Sequence, residues 1–205
     1  YTSYAGHATQ IAASAGDDKI VVAVGGDGTV NEICRGLIQS RGKLGIIPCG
    51  SGNGLARHLN IPLDTRHALR NLVSGCLENI VVFSINGYIS VNISGIGFDA
   101  AVSRAFAKTK GRGLKNYIKI ILKLFKSYPE FSYQISNHSG KAWMICICNS
   151  SQFGNNVMIS PDSQTGDGLI ELAMLRKPKL SGIPKLGFQL LHGSIKNSIY
   201  YQTTR

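Results

Sequence analysis

Twelve consecutive residues constrain this chain more than any other stretch: Val21-Val22-Ala23-Val24-Gly25-Gly26-Asp27-Gly28-Thr29-Val30-Asn31-Glu32. Four apolar residues, three of them β-branched, predict a buried strand. Three glycines around one aspartate follow, and then a helix start. Glycine lets backbone approach a ligand closely, and a helix N-terminus presents unpaired N–H groups at the positive end of its dipole. The stretch therefore favours a phosphate. A carboxylate would repel that phosphate, so Asp27 suits a metal ion or a proton near it. The competing reading is a plain βα connection in which Asp27 caps the following helix.

A second turn of the same kind strengthens the first: Gly45-Ile46-Ile47-Pro48-Cys49-Gly50-Ser51-Gly52-Asn53-Gly54-Leu55-Ala56-Arg57. It too follows a short apolar run and opens a helix. Two such turns one βαβ unit apart fall at the carboxyl ends of neighbouring parallel strands, where open α/β sheets bind ligands. The flanking pattern agrees. Helices are expected over 3–15, 31–39, 52–59 and 65–74, and strands over 19–24 and 43–48, which is βαβα and hence a parallel sheet with helices on its faces.

Near residue 80 the pattern changes. Strands over 79–85 and 87–96 flank Asn86-Gly87, a strong hairpin signal. Further strands are expected over 131–136, 141–149 and 169–175, with 143–148 central and buried, and a last helix over 183–191. The chain thus divides into an α/β part, 1–80, and a β-rich part, 81–205.

Residues 101–127 hold eight basic residues and no acid: Arg104, Lys108, Lys110, Arg112, Lys115, Lys119, Lys123 and Lys126. Leu114, Tyr117, Ile118, Ile121, Leu122 and Phe125 recur there at helical spacing, so the segment reads as one basic amphipathic helix. Its two readings are a solvated face on a packed helix and contact with anionic lipid, where each basic residue contributes up to about 1 kcal/mol. The net charge of +11 suits anionic partners. Nucleic acid is disfavoured, because the aromatic residues do not cluster with the basic run as a stacking platform would require.

Five cysteines without CxxC spacing read as reduced thiols of a cytoplasmic protein rather than a disulfide or zinc framework. No apolar run approaches the roughly 18 residues of a membrane span, and no signal-peptide pattern is present. Only eleven residues are acidic, so metal and proton chemistry draws on a short list. Besides Asp27, the turn Asp162-Ser163-Gln164-Thr165-Gly166-Asp167-Gly168-Leu169 stands out. A carboxylate between free carbonyls suits an oxygen-loving divalent ion, and a plain Asp-Gly turn is the alternative. No Walker A pattern and no protein-kinase signature appears.

Gly25-Gly26-Asp27-Gly28-Thr29-Val30-Asn31-Glu32, followed by Pro48-Cys49-Gly50-Ser51-Gly52-Asn53-Gly54-Leu55-Ala56-Arg57, resembles the diacylglycerol kinase catalytic domain family. That family includes bacterial lipid kinases and the sphingosine and ceramide kinases. The resemblance implies an α/β, parallel-sheet nucleotide-binding domain of the NAD kinase/diacylglycerol kinase type followed by a β-sandwich domain. It implies an ATP-dependent lipid kinase acting on a diacylglycerol-like hydroxyl, with Asp27 catalytic. ATP would lie against Thr2, Gly25, Gly26, Asp27, Gly28, Thr29, Val30, Asn31 and Ser51, with Asn53 and Asp99 on the substrate side of the cleft. A structural Mg²⁺ would be held by Asp167 and the carbonyls of Gln164 and Leu169. The implied setting is cytoplasmic, with peripheral contact at the inner membrane face through the basic helix.

The family's pattern also has an earlier strand with an Asn-Pro loop and a later DGE motif carrying the usual base. Neither lies in these 205 residues, so the chain is expected to be the middle of the domain and the base is unassigned. Two rivals remain. An NAD kinase shares the first turn but usually shows an Asn-Glu pair where Gly50-Ser51-Gly52-Asn53-Gly54 stands here. A non-catalytic nucleotide- or lipid-binding module is the other.

Overall fold

Turn chemistry sets the first layer. In a computed structural model that describes residues 1–109, 114–136 and 138–205, strands β1 (Ile20–Gly25) and β2 (Lys43–Pro48) pair in parallel, with Gly25 opposite Pro48. Both glycine turns therefore leave the same end of the sheet. Helix α1 (His7–Ser14) and helix α2 (Asp27–Leu37) cover one face. Their side chains Ala8, Ala12, Val30, Ile33, Cys34 and Leu37 join Ala23, Ile46, Leu55 and Ala56 in one apolar core. The two helices cross closely at Gly36, where an added Cβ would lie 2.4 Å from the Thr9 carbonyl oxygen.

Two expectations change here. Helix α2 starts at Asp27 rather than near residue 31, because Gly26 takes the extended N-cap conformation and Val30 N–H already bonds to Gly26 O. Nor is β1 buried on both faces. Ala23 is enclosed, but Ile20, Val22 and Val24 point outward and Val24 is 61% exposed. The reason is the layering: α1 and α2 cover one face only, and alternate residues of a strand face opposite sides.

After β2 come a short helix α3 (Gly54–His58) and helix α4 (Thr65–Ser74). Asp64 caps α4 by accepting from the amides of Arg66 and His67. The Asn86-Gly87 hairpin forms as expected, between β3 (Phe83–Ile85) and β4 (Tyr88–Ser90), with both turn residues at positive φ. The strand expected over 87–96 divides, however. Val91 turns into the α/β core beside Ile80 and Val82. Strand β5 (Ile93–Gly97) then joins a different sheet.

That second sheet has the order β10-β9-β8-β5, all antiparallel, with β8 (Met144–Cys148), β9 (Glu171–Leu175) and β10 (Tyr201–Thr204). β8 is interior and almost wholly buried, as the sequence indicates. The strand expected over 141–149 is two: β7 (His138–Ala142) pairs with β6 (Phe131–Ile135) in a separate hairpin, and Trp143 marks the break. β10 was not anticipated.

The basic segment is likewise two helices, α5 (Phe98–Ala107) and α6 (Leu114–Ser127); Lys110 and Arg112 lie outside the described residues. Trp143 fastens both to the sheet. It stacks on Phe98 of α5 at 3.7 Å, meets Phe125 of α6 edge-on at 5.2 Å, and donates its indole N–H to Tyr128 O. Helix α7 (Ile183–Leu191) closes this second core with Leu186.

The α1–α2 crossing makes a direct prediction. Gly36→Ala gains about 1 kcal/mol of helix propensity but must push two backbones apart, which costs about 1–3 kcal/mol. The urea midpoint is expected to fall; an unchanged or higher midpoint would show that the crossing does not need glycine.

Candidate active site

The site begins with one carboxylate. Asp27, the first residue of α2, does not cap its own helix. Its Oδ2 accepts from Gly54 N–H at 3.0 Å and its Oδ1 from Leu55 N–H at 3.0 Å, so it caps α3 across the gap between the two turns. A third donor reaches it from the β-rich part: Asn92 Nδ2 to Asp27 Oδ1, 3.3 Å. Asn92 is held in turn. Its Oδ1 accepts from the Ser150 hydroxyl, and its carbonyl accepts from Asn149 N–H at 2.9 Å. Asn149 spends its own amide on the carbonyls of Val81 and Val91. A continuous polar chain thus runs from the first glycine turn, through Asn92, to the end of β8.

The second turn is folded by Asn53, which sits at φ 53° with its side chain doubled back to accept from Gly50 N–H and donate to Gly50 O. It also bridges to Gly154. Around it, Arg57 donates to Gly52 O and to Asn156, and His58 Nδ1 lies 2.9 Å from Ser151 Oγ. Burial lowers the His58 pKa, and the Glu78 charge opposes that. Helix α3 is therefore docked on residues 151–156 by side chains and backbone alike.

The glycines divide by what surrounds them. A Cβ at Gly50 would lie 2.5 Å from Gly26 Cα, one at Gly25 would lie 2.6 Å from Thr29 Oγ1, and one at Gly54 would lie 2.7 Å from Gln152 O. These three let protein approach protein. Only Gly28 among the glycines of the first turn faces open space. It is exposed, and the amides of Asp27, Gly28 and Thr29 at the start of α2 have no acceptor among the described residues. This uncapped helix start is the part of the arrangement that fits a phosphate.

The other expected residues are spread around it. Ser51 and Thr2 are exposed. Val30 is in the α/β core, and its amide is spent on Gly26 O. Asn31 donates to Ile89 O at 3.1 Å, and its own Oδ1 is buried without a partner among the described residues. Asp99 lies in the first turn of α5 with no hydrogen-bond partner for its side chain among the described residues, and burial pushes its carboxyl up to about 6. Its charge is felt by Tyr117 of α6, whose phenol is pushed up to about 12, first by burial and then by Asp99.

At the expected metal turn, Asp167 Oδ1 accepts from Leu169 N–H at 2.9 Å. Gln164, Asp167 and Leu169 are all exposed. No group of three His, Cys, Asp or Glu side chains among the described residues could hold a metal ion. The available set, one carboxylate oxygen and backbone carbonyls, fits a hard cation by donor type. Asn92, Ser150, His58 and Ser151 were not among the expected site residues. The only signal was the run Asn149-Ser150-Ser151, polar residues directly after the most apolar strand.

Two family models match the chain. One is the diacylglycerol kinase catalytic domain, over residues 1–85, and the other is the YegS C-terminal NAD kinase beta sandwich-like domain, over residues 92–194. Residues 1–85 belong to the diacylglycerol kinase catalytic domain family and residues 92–194 to the YegS C-terminal domain family, a pairing that makes the chain a member of the lipid kinases. A diacylglycerol kinase of Bacillus subtilis (strain 168) is 29% identical over 218 residues, covering all of this chain and 72% of that protein. A "probable lipid kinase YegS-like" of Yersinia pestis (strain Pestoides F) is 30% identical over 195 residues, covering 87% of this chain and 64% of that protein. A solved diacylglycerol kinase of Bacillus anthracis (strain Sterne) superposes on the whole chain with a TM-score of 0.69 at 21% identity, over 70% of its own length. These matches agree with an α/β nucleotide-binding fold followed by a sandwich-like β-rich part.

Asp99 supplies the prediction here. Its carboxyl titrates near 6 in the fold against 3.8 when unperturbed, so between those values the folded state binds more protons. Unfolding free energy is then expected to fall as pH rises from about 4 to about 6, by at most about 3 kcal/mol, with no further change from this group above that. Asp99→Asn is expected to flatten this slope and to be the more stable protein at pH 7. Parallel urea titrations across pH would show it; an identical slope in the variant would place Asp99 in contact with water.

Proposed function

We propose that this chain transfers the γ-phosphoryl group of ATP to the hydroxyl of a diacylglycerol-like lipid. The observation that carries the reading is the uncapped start of α2, where the amides of Asp27, Gly28 and Thr29 have no partner among the described residues and Gly28 is exposed. Family membership supports the reaction class.

Bound ATP would supply the phosphoryl group and its Mg²⁺ the countercharge. The protein's own part is to hold and orient. The free amides meet phosphate oxygens along the favourable direction of the helix dipole. Ser51 and Thr2, both exposed, would each offer a hydroxyl to the nucleotide. Asp27 is the catalytic residue of the proposal, and its carboxylate is oriented by three donors before any ligand arrives. Such preorganisation is how phosphoryl-transfer sites achieve most of their effect. Asn53 and Asp99 would bound the acceptor side. Separately, Gln164, Asp167 and Leu169 would hold a structural Mg²⁺ that steadies the loop before β9. Among the described residues no helix is long and apolar enough to cross a membrane, so the lipid would be met at a surface.

Three expected outcomes follow. The chain forms a lipid phosphate from ATP and diacylglycerol in mixed micelles and leaves NAD untouched. Asp27→Asn lowers kcat at least 100-fold and costs about 1–3 kcal/mol of stability, because an amide NH₂ then faces a backbone N–H of α3. Turnover within tenfold of the parent would remove Asp27 from the chemistry, and phosphorylation of NAD would favour the rival kinase. For the second metal, added Mg²⁺ raises the melting temperature of the parent but not of Asp167→Ala. Equal stabilisation of both would discard that site.

A further inference from the structure

Asn92 and Ser150 connect the β-rich part to Asp27 by two hydrogen bonds in series. Asn92 Nδ2 donates to Asp27 Oδ1 at 3.3 Å, the one side-chain donor that the β-rich part gives Asp27 among the described residues. Charge decides which way the Asn92 amide points. A carbonyl oxygen turned toward Asp27 would repel the carboxylate, so the NH₂ group faces Asp27 and Oδ1 faces away. There the Ser150 hydroxyl donates to it. Ser150 is fully buried, so leaving either partner unpaired is costly, and each holds the other in place. The backbone is pinned separately. Asn149 N–H donates to Asn92 O at 2.9 Å, and the Asn149 side chain holds the carbonyls of Val81 and Val91. Ser151, next in the chain, meets His58 of α3. Three consecutive residues at the end of β8 thus each bind a different partner around the site.

We propose that Asn92 and Ser150 are positioning residues for the phosphoryl transfer: Ser150 sets the Asn92 amide, and the amide aims the Asp27 carboxylate. This rests on the reading of Asp27 as the catalytic residue. Gly54 and Leu55 grip the two carboxylate oxygens from the α3 side alone. A carboxylate held only there follows α3 wherever it moves. The Asn92 donor ties its direction to the β-rich part as well, the part that carries Asp99 on the proposed acceptor side. Transfer depends on the angle between the reacting groups, so a carboxylate registered to both parts of the chain is worth more than one registered to either. Ser150 is too deeply buried to touch a ligand, so its effect on the reaction passes through Asn92.

Amide hydrogen exchange followed by NMR, without nucleotide or lipid, tests the aim of Asp27 independently of the kinase reading. The reporters are the Gly54 and Leu55 amides, which donate to Asp27, and the control is the Asn149 amide, which donates to the Asn92 carbonyl. Asn92→Leu keeps the size of the side chain and removes its donor. The two reporters are expected to exchange at least tenfold faster in it, with the Asn149 amide unchanged. Asn92→Ala, with less bulk, carries the same expectation. Ser150→Ala alone should speed the reporters at least threefold and, added to Asn92→Leu, should do nothing more. In the lipid phosphorylation assay Asn92→Leu should lower kcat at least tenfold and Ser150→Ala at least threefold, with KM for ATP within threefold of the parent. Unchanged reporter exchange in Asn92→Leu and Asn92→Ala would overturn the proposal. So would a Ser150→Ala effect of full size in the Asn92→Leu protein, or a loss confined to KM. Exchange as expected with no phosphate transfer by the parent would leave the positioning of Asp27 standing and sink the kinase reading alone.

Discussion

One carboxylate holds the two halves of the site together. Asp27 accepts the first amides of α3 and the side-chain amide of Asn92, so a single group ties the first turn to the second and both to the β-rich part. A charged acceptor with backbone N–H donors is among the stronger hydrogen-bonding arrangements available to a protein. If it were released, the docking of the second turn and α3 on residues 151–156 would still hold them to that loop.

That brace explains the glycines. Gly26 and Gly50 touch backbone to backbone, and Gly54 lies against Gln152 and Phe153. Side chains there would drive the turns apart and break the Asp27 bonds. Close packing of protein on protein is thus the condition under which the start of α2 is left open. The open amides and the crowded glycines are two results of one geometry.

What the residues disclosed follows their range of action. The glycine turns, the parallel pair and the Asn86-Gly87 hairpin were legible because turn chemistry is local. The start of α2 was read late because Asp27-Gly28-Thr29 has the composition of a loop, and glycine's poor helix propensity hid the first turn. The exposure of Val22 and Val24 depends on which face the helices cover, which no strand pattern of four apolar residues reveals. Asn92 was invisible because its partner lies 65 positions away in the sequence. The division of the basic segment and the break at Trp143 likewise reflect tertiary packing, since one aromatic ring fastens two helices and a strand end. Strand β10, four residues on a sheet edge, has too little pattern to be seen.

A structure of the chain with a non-hydrolysable ATP analogue tests the central claim most directly. The account predicts phosphate oxygens within hydrogen-bond distance of the Asp27, Gly28 and Thr29 amides, with the Asp27 carboxylate still bound to Gly54 and Leu55. A triphosphate seated elsewhere, with those three amides still facing solvent, would contradict it.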